Sequence, residues 1–138
     1  MTLLDAYALI AFIIGGRAAP QVRALLRGGD AGLATVNLVE TLDVSQRIHG
    51  LPVERVTEIL DPLFEGPLTL LTLDRIVARR AAELRARHYH RMTRPISLAD
   101  AVLLASAGRN DRLATADPDV LAVAQAAGME TVGLPTED

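Results

Sequence analysis

Neither cysteine, nor lysine, nor tryptophan occurs anywhere in this chain of 138 residues. Without cysteine there can be no disulfide, no thiolate metal site and no cysteine nucleophile, and the fold needs no oxidising compartment. Without lysine, the Gly-Lys-Ser/Thr of a P-loop nucleotidase and the lysine beside the acidic pocket of a phosphorelay receiver are both impossible. All 14 basic residues are therefore arginines. Aromatic residues make up 3% of a chain that is 50% hydrophobic, so the core has to be built from Leu, Val, Ile and Ala. Histidine is sparse as well. His49, His88 and His90 do not stand at a usual zinc spacing and read as helix-surface or partly packed residues. No Gly-x-Ser-x-Gly elbow is present.

What is present reads as one domain over residues 1–138. The first apolar run, "LLDAYALIAFII", carries Asp5 and has no basic residue before it, which predicts neither a signal peptide nor a membrane span, and hence a cytoplasmic protein. Strand-length apolar runs lie at 2–5, 32–36, 68–73, 112–115 and 130–132. Helical patterns separate them: "AYALIAFII", "PQVRALLR", "LVETLDVSQRIHG", "PVERVTEILDPLFEG", a segment from Asp74 towards His90, "SLADAVLLASAG" and "PDVLAVAQAAG". Strands alternating with helices predict an α/β fold. Its central, mostly parallel sheet would have four to five strands flanked by helices.

In such a sheet, sites form beyond the carboxyl ends of the strands. Asp5 and Asp117 each follow a strand, Glu40 lies in the helix after the second strand, and Asp100 opens the helix before the fourth. Taken singly, each is explained as well by a helix cap: "NLVE" and "SLAD" read as capping boxes, and Asp117-Pro118 as a cap with proline at the first helical position. Asp74 in "TLLTLD" copies the local pattern of Asp5 in "TLLD". Together, with Asp119 close behind and no basic residue adjacent, the acids suggest a shared site. Gathered carboxylates raise one another's pKa unless a cation intervenes. Oxygen ligands of this kind suit Mg²⁺ or Mn²⁺.

The ordered set "LLDAYALIA", "ATVNLVETLDV", "SLADAVLLASA" and "LATADPDV" resembles the PIN domain, and within it the VapC-type ribonuclease toxins of toxin and antitoxin pairs. The resemblance spans the whole chain. It implies that Asp5, Glu40, Asp100 and Asp117 form the catalytic acidic cluster. It implies that Asp5, Asp100, Asp117 and Asp119 hold the metal, with Thr115 and Asn37 in support. The implied chemistry is hydrolysis of RNA phosphodiesters to a 5'-phosphate and a 3'-hydroxyl. The implied partners are an RNA substrate, a small antitoxin of VapB type and a second copy in a homodimer. Where many members have Ser or Thr after the first aspartate, this chain has Ala6.

A formal charge of −3 sits poorly with a polyanionic substrate until the five acids Asp5, Glu40, Asp100, Asp117 and Asp119 are set aside, which leaves +2. Among the arginines between Arg75 and Arg94, Arg79, Arg87 and Arg91 could position phosphates, or could simply solvate a helix face. Three alternatives remain beside the toxin. These are a catalytically silent RNA-binding or regulatory module, a housekeeping PIN nuclease without an antitoxin, and a flap nuclease, which would want longer arms.

Overall fold

A computed structural model describes residues 1–137. In chain order the elements are β1 (Thr2–Leu4), α1 (Ala6–Ile14), α2 (Ala19–Arg27), β2 (Ala31–Ala34), α3 (Thr35–Arg47), α4 (Val53–Phe64), β3 (Leu68–Leu71), α5 (Arg75–His88), α6 (Leu98–Ser106), β4 (Arg112–Thr115), α7 (Pro118–Ala126) and β5 (Glu130–Gly133). The five strands form one sheet in the order β3-β2-β1-β4-β5, and every pair is parallel. The chain winds outward from β1 through β2 to β3 and then returns to lay β4 on the other side of β1. That reversal opens a crevice between the carboxyl ends of β1 and β4.

Strand alternation decides which helices cover which face. Leu4 stands beside Leu33 and Ala114 in register, and this row packs against α1, α2 and α4 through Leu9, Val22, Val56 and Leu60. Leu3 stands beside Leu113, and this row packs on the other face against Leu103 and Leu104 of α6 and Val120 and Val123 of α7. Both rows are fully buried, and the aromatic residues Tyr7, Phe12 and Phe64 pack against the first only as partly buried side chains. Among the described residues no single helix is long and apolar enough to cross a membrane.

Several boundaries sit where the residue chemistry puts them. α1 ends at Gly15, whose φ of 72° is the left-handed conformation that stops a helix. Ser97 caps α6 in a true capping box with Asp100. One expectation is overturned. "NLVE" is not a capping box, because α3 begins at Thr35 directly after β2, with Ala34 as its cap and no side-chain cap bond. Thr35 and Val36 are β-branched and prolong the strand pattern, yet the Thr35 hydroxyl turns aside to donate to the Leu71 carbonyl at 2.8 Å. Asn37 therefore lies inside the first turn of α3, and its Nδ2 donates to Glu40 Oε1 at 2.9 Å.

Candidate metal centre

Five acids line one open cleft of about 460 Å³ at the crevice: Asp5, Glu40, Asp100, Asp117 and Asp119, with Asn37 in its wall. Each comes from the local structure around it. Asp5 caps α1, and its Oδ1 accepts the Ala8 N–H at 2.8 Å. Asp117 caps α7, and its Oδ1 accepts the N–H groups of Asp119 at 2.8 Å and Val120 at 3.4 Å. Asp100 Oδ2 accepts the Ser97 N–H at 3.0 Å. Capping and a shared site are thus not rival accounts. A cap fixes one oxygen of Asp5, Asp100 and Asp117, and so orients each of these carboxylates at the cleft it lines.

The electrostatics mark Asp5, Glu40 and Asp100 off from ordinary surface carboxylates. Burial, above all, pushes the Asp5 carboxyl up to about 6, with the charges of Asp100 and Glu40 adding to it; the Thr115 hydroxyl and the Ala8 N–H favour the ionised form and offset part of the rise. Glu40 is raised by burial and by Asp100, against the Asn37 amide. Asp100 is raised by burial and by Asp117 and Asp119, against the Ser97 hydrogen bonds. Asp100 thus raises both Asp5 and Glu40 and is itself raised by Asp117 and Asp119. Among the described residues no cation lines the cleft.

Thr115 and Asn37 both stand beside these acids. Thr115 is fully buried at the end of β4, and its Oγ1 accepts the Asp117 N–H at 3.1 Å. Asn37 is 1% exposed, and its Oδ1 has no hydrogen-bond partner. A buried, orphaned acceptor beside four carboxylates suits a positively charged or hydrogen-donating occupant. The donor set is all oxygen, which fits Mg²⁺ or Mn²⁺. Among the described residues no three His, Asp or Glu side chains stand close enough to hold a metal ion as they are placed. A cation would have to draw the carboxylates together against their capping bonds.

The arginines are not brought to the cleft. Arg79 is exposed and paired with Glu83 at 2.9 Å. Arg80 donates to the Ala105 carbonyl and Arg85 to the Ile96 carbonyl, so α5 runs antiparallel to α6. Arg87 and Arg91, both exposed, consequently lie towards the end of α6 that carries Asp100, and Arg79 towards the far end. Tyr7 and Thr136, not among the residues the sequence singles out, complete the cleft wall. Tyr7 carried a signal, as an aromatic two residues past Asp5 in a chain with two tyrosines and two phenylalanines. Thr136 carried none, since its place depends on the Leu134 N–H bonding the Thr115 carbonyl.

Similar architectures are known. A toxin-antitoxin complex from Klebsiella pneumoniae superposes with a TM-score of 0.63 at 21% identity over 85% of this chain and 87% of that one. VapBC2 from Rickettsia felis, bound to a DNA fragment from its promoter, gives 0.70 at 13% identity over 97% and 98%. FitAcB from Neisseria gonorrhoeae gives 0.66 at 23% over 96% and 97%. At these identities the likeness is one of fold. No curated protein matches the sequence at a significant level. The profile of the PIN domain, however, matches residues 2–126, nearly the whole length over which the sheet, the crevice and the five acids are built, and the chain belongs to the PIN domain family.

Proposed function

We propose that this protein is a metal-dependent endoribonuclease that cuts RNA phosphodiester bonds and serves as the toxin of a VapC-type toxin-antitoxin pair. The observation that carries the reading is the convergence of Asp5, Glu40, Asp100 and Asp117, from four separate segments, on one cleft that no cation lines among the described residues. Asp5, Asp100, Asp117 and Asp119 would hold Mg²⁺ or Mn²⁺. Bound there, the metal would neutralise charge at the scissile phosphate and lower the pKa of a water. Glu40, whose Oε1 accepts a hydrogen bond from the Asn37 amide, would accept a proton at Oε2. Thr115 fixes the backbone of Asp117 from beneath. Neither lysine nor cysteine is needed for this chemistry, and the chain has neither.

The partners proposed with this activity are RNA, a small VapB-type antitoxin and a second copy of the chain. Support for the antitoxin comes from the Klebsiella, Rickettsia and Neisseria neighbours, whose folds resemble this one and which are themselves toxin-antitoxin assemblies or named as VapBC and FitAcB. Purified protein is expected to cleave structured RNA in Mg²⁺ or Mn²⁺ and to stop in EDTA. Undiminished cleavage in excess chelator would sink the metal mechanism. The spacing of the carboxylates, too wide as placed for three to share an ion, favours a second reading as a silent RNA-binding module. Folded protein that binds RNA but never cuts it in either metal would establish that second reading.

Replacing Arg79, Arg87 and Arg91 together is expected to weaken RNA binding and to flatten its salt dependence. Each lost contact to a single strand removes about 0.7 from the logarithmic slope. Most of the loss should come from Arg87 and Arg91, since Arg79 is engaged by Glu83. An unchanged slope would return α5 to a solvated helix face.

A further inference from the structure

A second concavity opens beside the acidic cleft. It is an apolar groove of about 290 Å³ between α1 and α3, and it shares Ala6, Tyr7 and Glu40 with the cleft as a common wall. Ile10, Ala11 and Ile14 of α1 and Val44 of α3 line it, with Glu40, Glu137 and His49 as its polar members. No arginine lines it among the described residues. An apolar groove edged by carboxylates rejects a phosphate and accepts an uncharged ring.

Tyr7 stands at the junction of the two spaces. It is the one aromatic residue at either of them among the described residues: like Phe12 and Phe64 it is partly buried against the core, but only Tyr7 also lines the two spaces, and Tyr89 lies under the Arg85 guanidinium at 4.4 Å. Its hydroxyl donates to the Pro135 carbonyl at 2.6 Å, which holds the ring in place, and its small neighbours Ala6 and Ala11 leave room along the groove. A ring fixed in advance loses little entropy when something stacks on it.

Resting on the nuclease reading above, we infer that the groove seats an unpaired nucleobase of the RNA, stacked on the Tyr7 ring, while an adjoining phosphodiester lies among the carboxylates. The division of chemistry supports it. Stacking on an aromatic face is tolerant of base identity, and the shared wall makes the two spaces neighbours, as base and phosphate are in one nucleotide. Bases inside an A-form helix are not free to enter such a groove, so the substrate at the cut is a single-stranded or looped segment.

The test crosses protein and RNA changes. A short single-stranded RNA containing the cut is bound in Ca²⁺, intact and with an abasic site scanned along it. Wild-type protein is expected to lose affinity by about 5- to 150-fold when one base near the cut is missing. Tyr7→Leu is expected to lose as much on intact RNA, and the two losses are expected not to add. Tyr7→Phe, which keeps the ring, should retain most of the affinity. 2-Aminopurine at the same position should be quenched on binding wild-type protein, a readout that needs no variant to fold. Additive losses, no sensitive position, or no quenching would overturn the base seat. So would unchanged RNA affinity in Tyr7→Leu, which would give the groove to another occupant such as the apolar face of a protein partner. The two readings fail separately. Protein that cleaves in Mn²⁺ with additive losses contradicts the base seat alone. Protein that shows the coupling and the quench but never cleaves contradicts the nuclease alone.

Discussion

Asp5→Asn is expected to abolish RNA cleavage, by more than about 100-fold in rate, while Asp74→Asn cleaves at close to the normal rate. The two aspartates are local twins. Each follows a β-strand and caps the helix after it. Each has an extended backbone at the cap, and each accepts the N–H three residues on at 2.8 Å, from Ala8 and Val77 respectively. Asparagine caps nearly as well as aspartate, so neither change should cost more than ~1 kcal/mol through the cap. What differs is the strand each follows. β1 is central and opens on the crevice, so Asp5 lines the acidic cleft; β3 is the sheet edge, and Asp74 is exposed away from it. The measurement is cleavage of RNA in Mn²⁺ by both variants, with thermal unfolding to show that both fold. Retained activity in Asp5→Asn, or equal loss in both folded variants, would contradict the site.

Metal-free protein is expected to lose stability as the pH rises from about 4 to about 6. Asp5 titrates near 6 in the fold and near 3.8 in the unfolded chain, so across that window the native state binds the extra proton. Stability falls wherever the native state holds more protons than the unfolded one. The stabilisation is fully present below the unfolded value and is lost once the folded carboxyl has ionised. The effect from Asp5 is about 3 kcal/mol, and Glu40 and Asp100, both raised, act in the same direction. Asp5→Asn in EDTA at pH 7 should therefore be more stable than the wild type by about 1–3 kcal/mol, chiefly because a buried charge is gone and secondarily because repulsion is relieved. Saturating Mn²⁺ should reverse the order by stabilising only the wild type, by about 4.1 kcal/mol at a thousandfold excess over its dissociation constant. Unfolding curves from pH 4 to pH 7, in EDTA and in Mn²⁺, check each step. A wild type whose metal-free stability rises over this range would contradict the account of the cleft.

The sequence showed these features unevenly, and the reasons are physical. "AYALIAFII" predicts a helix over 6–14, which the structure has, because an aspartate cap and a glycine stop bracket an unbroken apolar run. The face of α5 bearing Val77, Ala81, Leu84 and His88 is indeed its less exposed one. The start of α3 was hidden, because Thr35-Val36 has strand chemistry and Asn-x-x-Glu looks alike at a cap and in a first turn. Only the tertiary bond from Thr35 to Leu71, and the burial of Asn37, decide between them. That the acids share one cleft follows from the strand order, and no local pattern in the sequence encodes that β4 returns beside β1. The apolar groove was invisible for a similar reason, since its walls come from two helices, α1 and α3, that the sequence could not pair.

The account is tested most directly by Mn²⁺ uptake, followed by the paramagnetic resonance of the free ion, in wild type, Asp5→Asn and Asp74→Asn. Wild type and Asp74→Asn are predicted to remove Mn²⁺ from solution with the same affinity and to release it to Mg²⁺, while folded Asp5→Asn leaves the free-ion signal unchanged. Uptake equal in all three, or none by folded wild type at the Mn²⁺ concentration that supports cleavage, would contradict the claim that these acids form the metal centre.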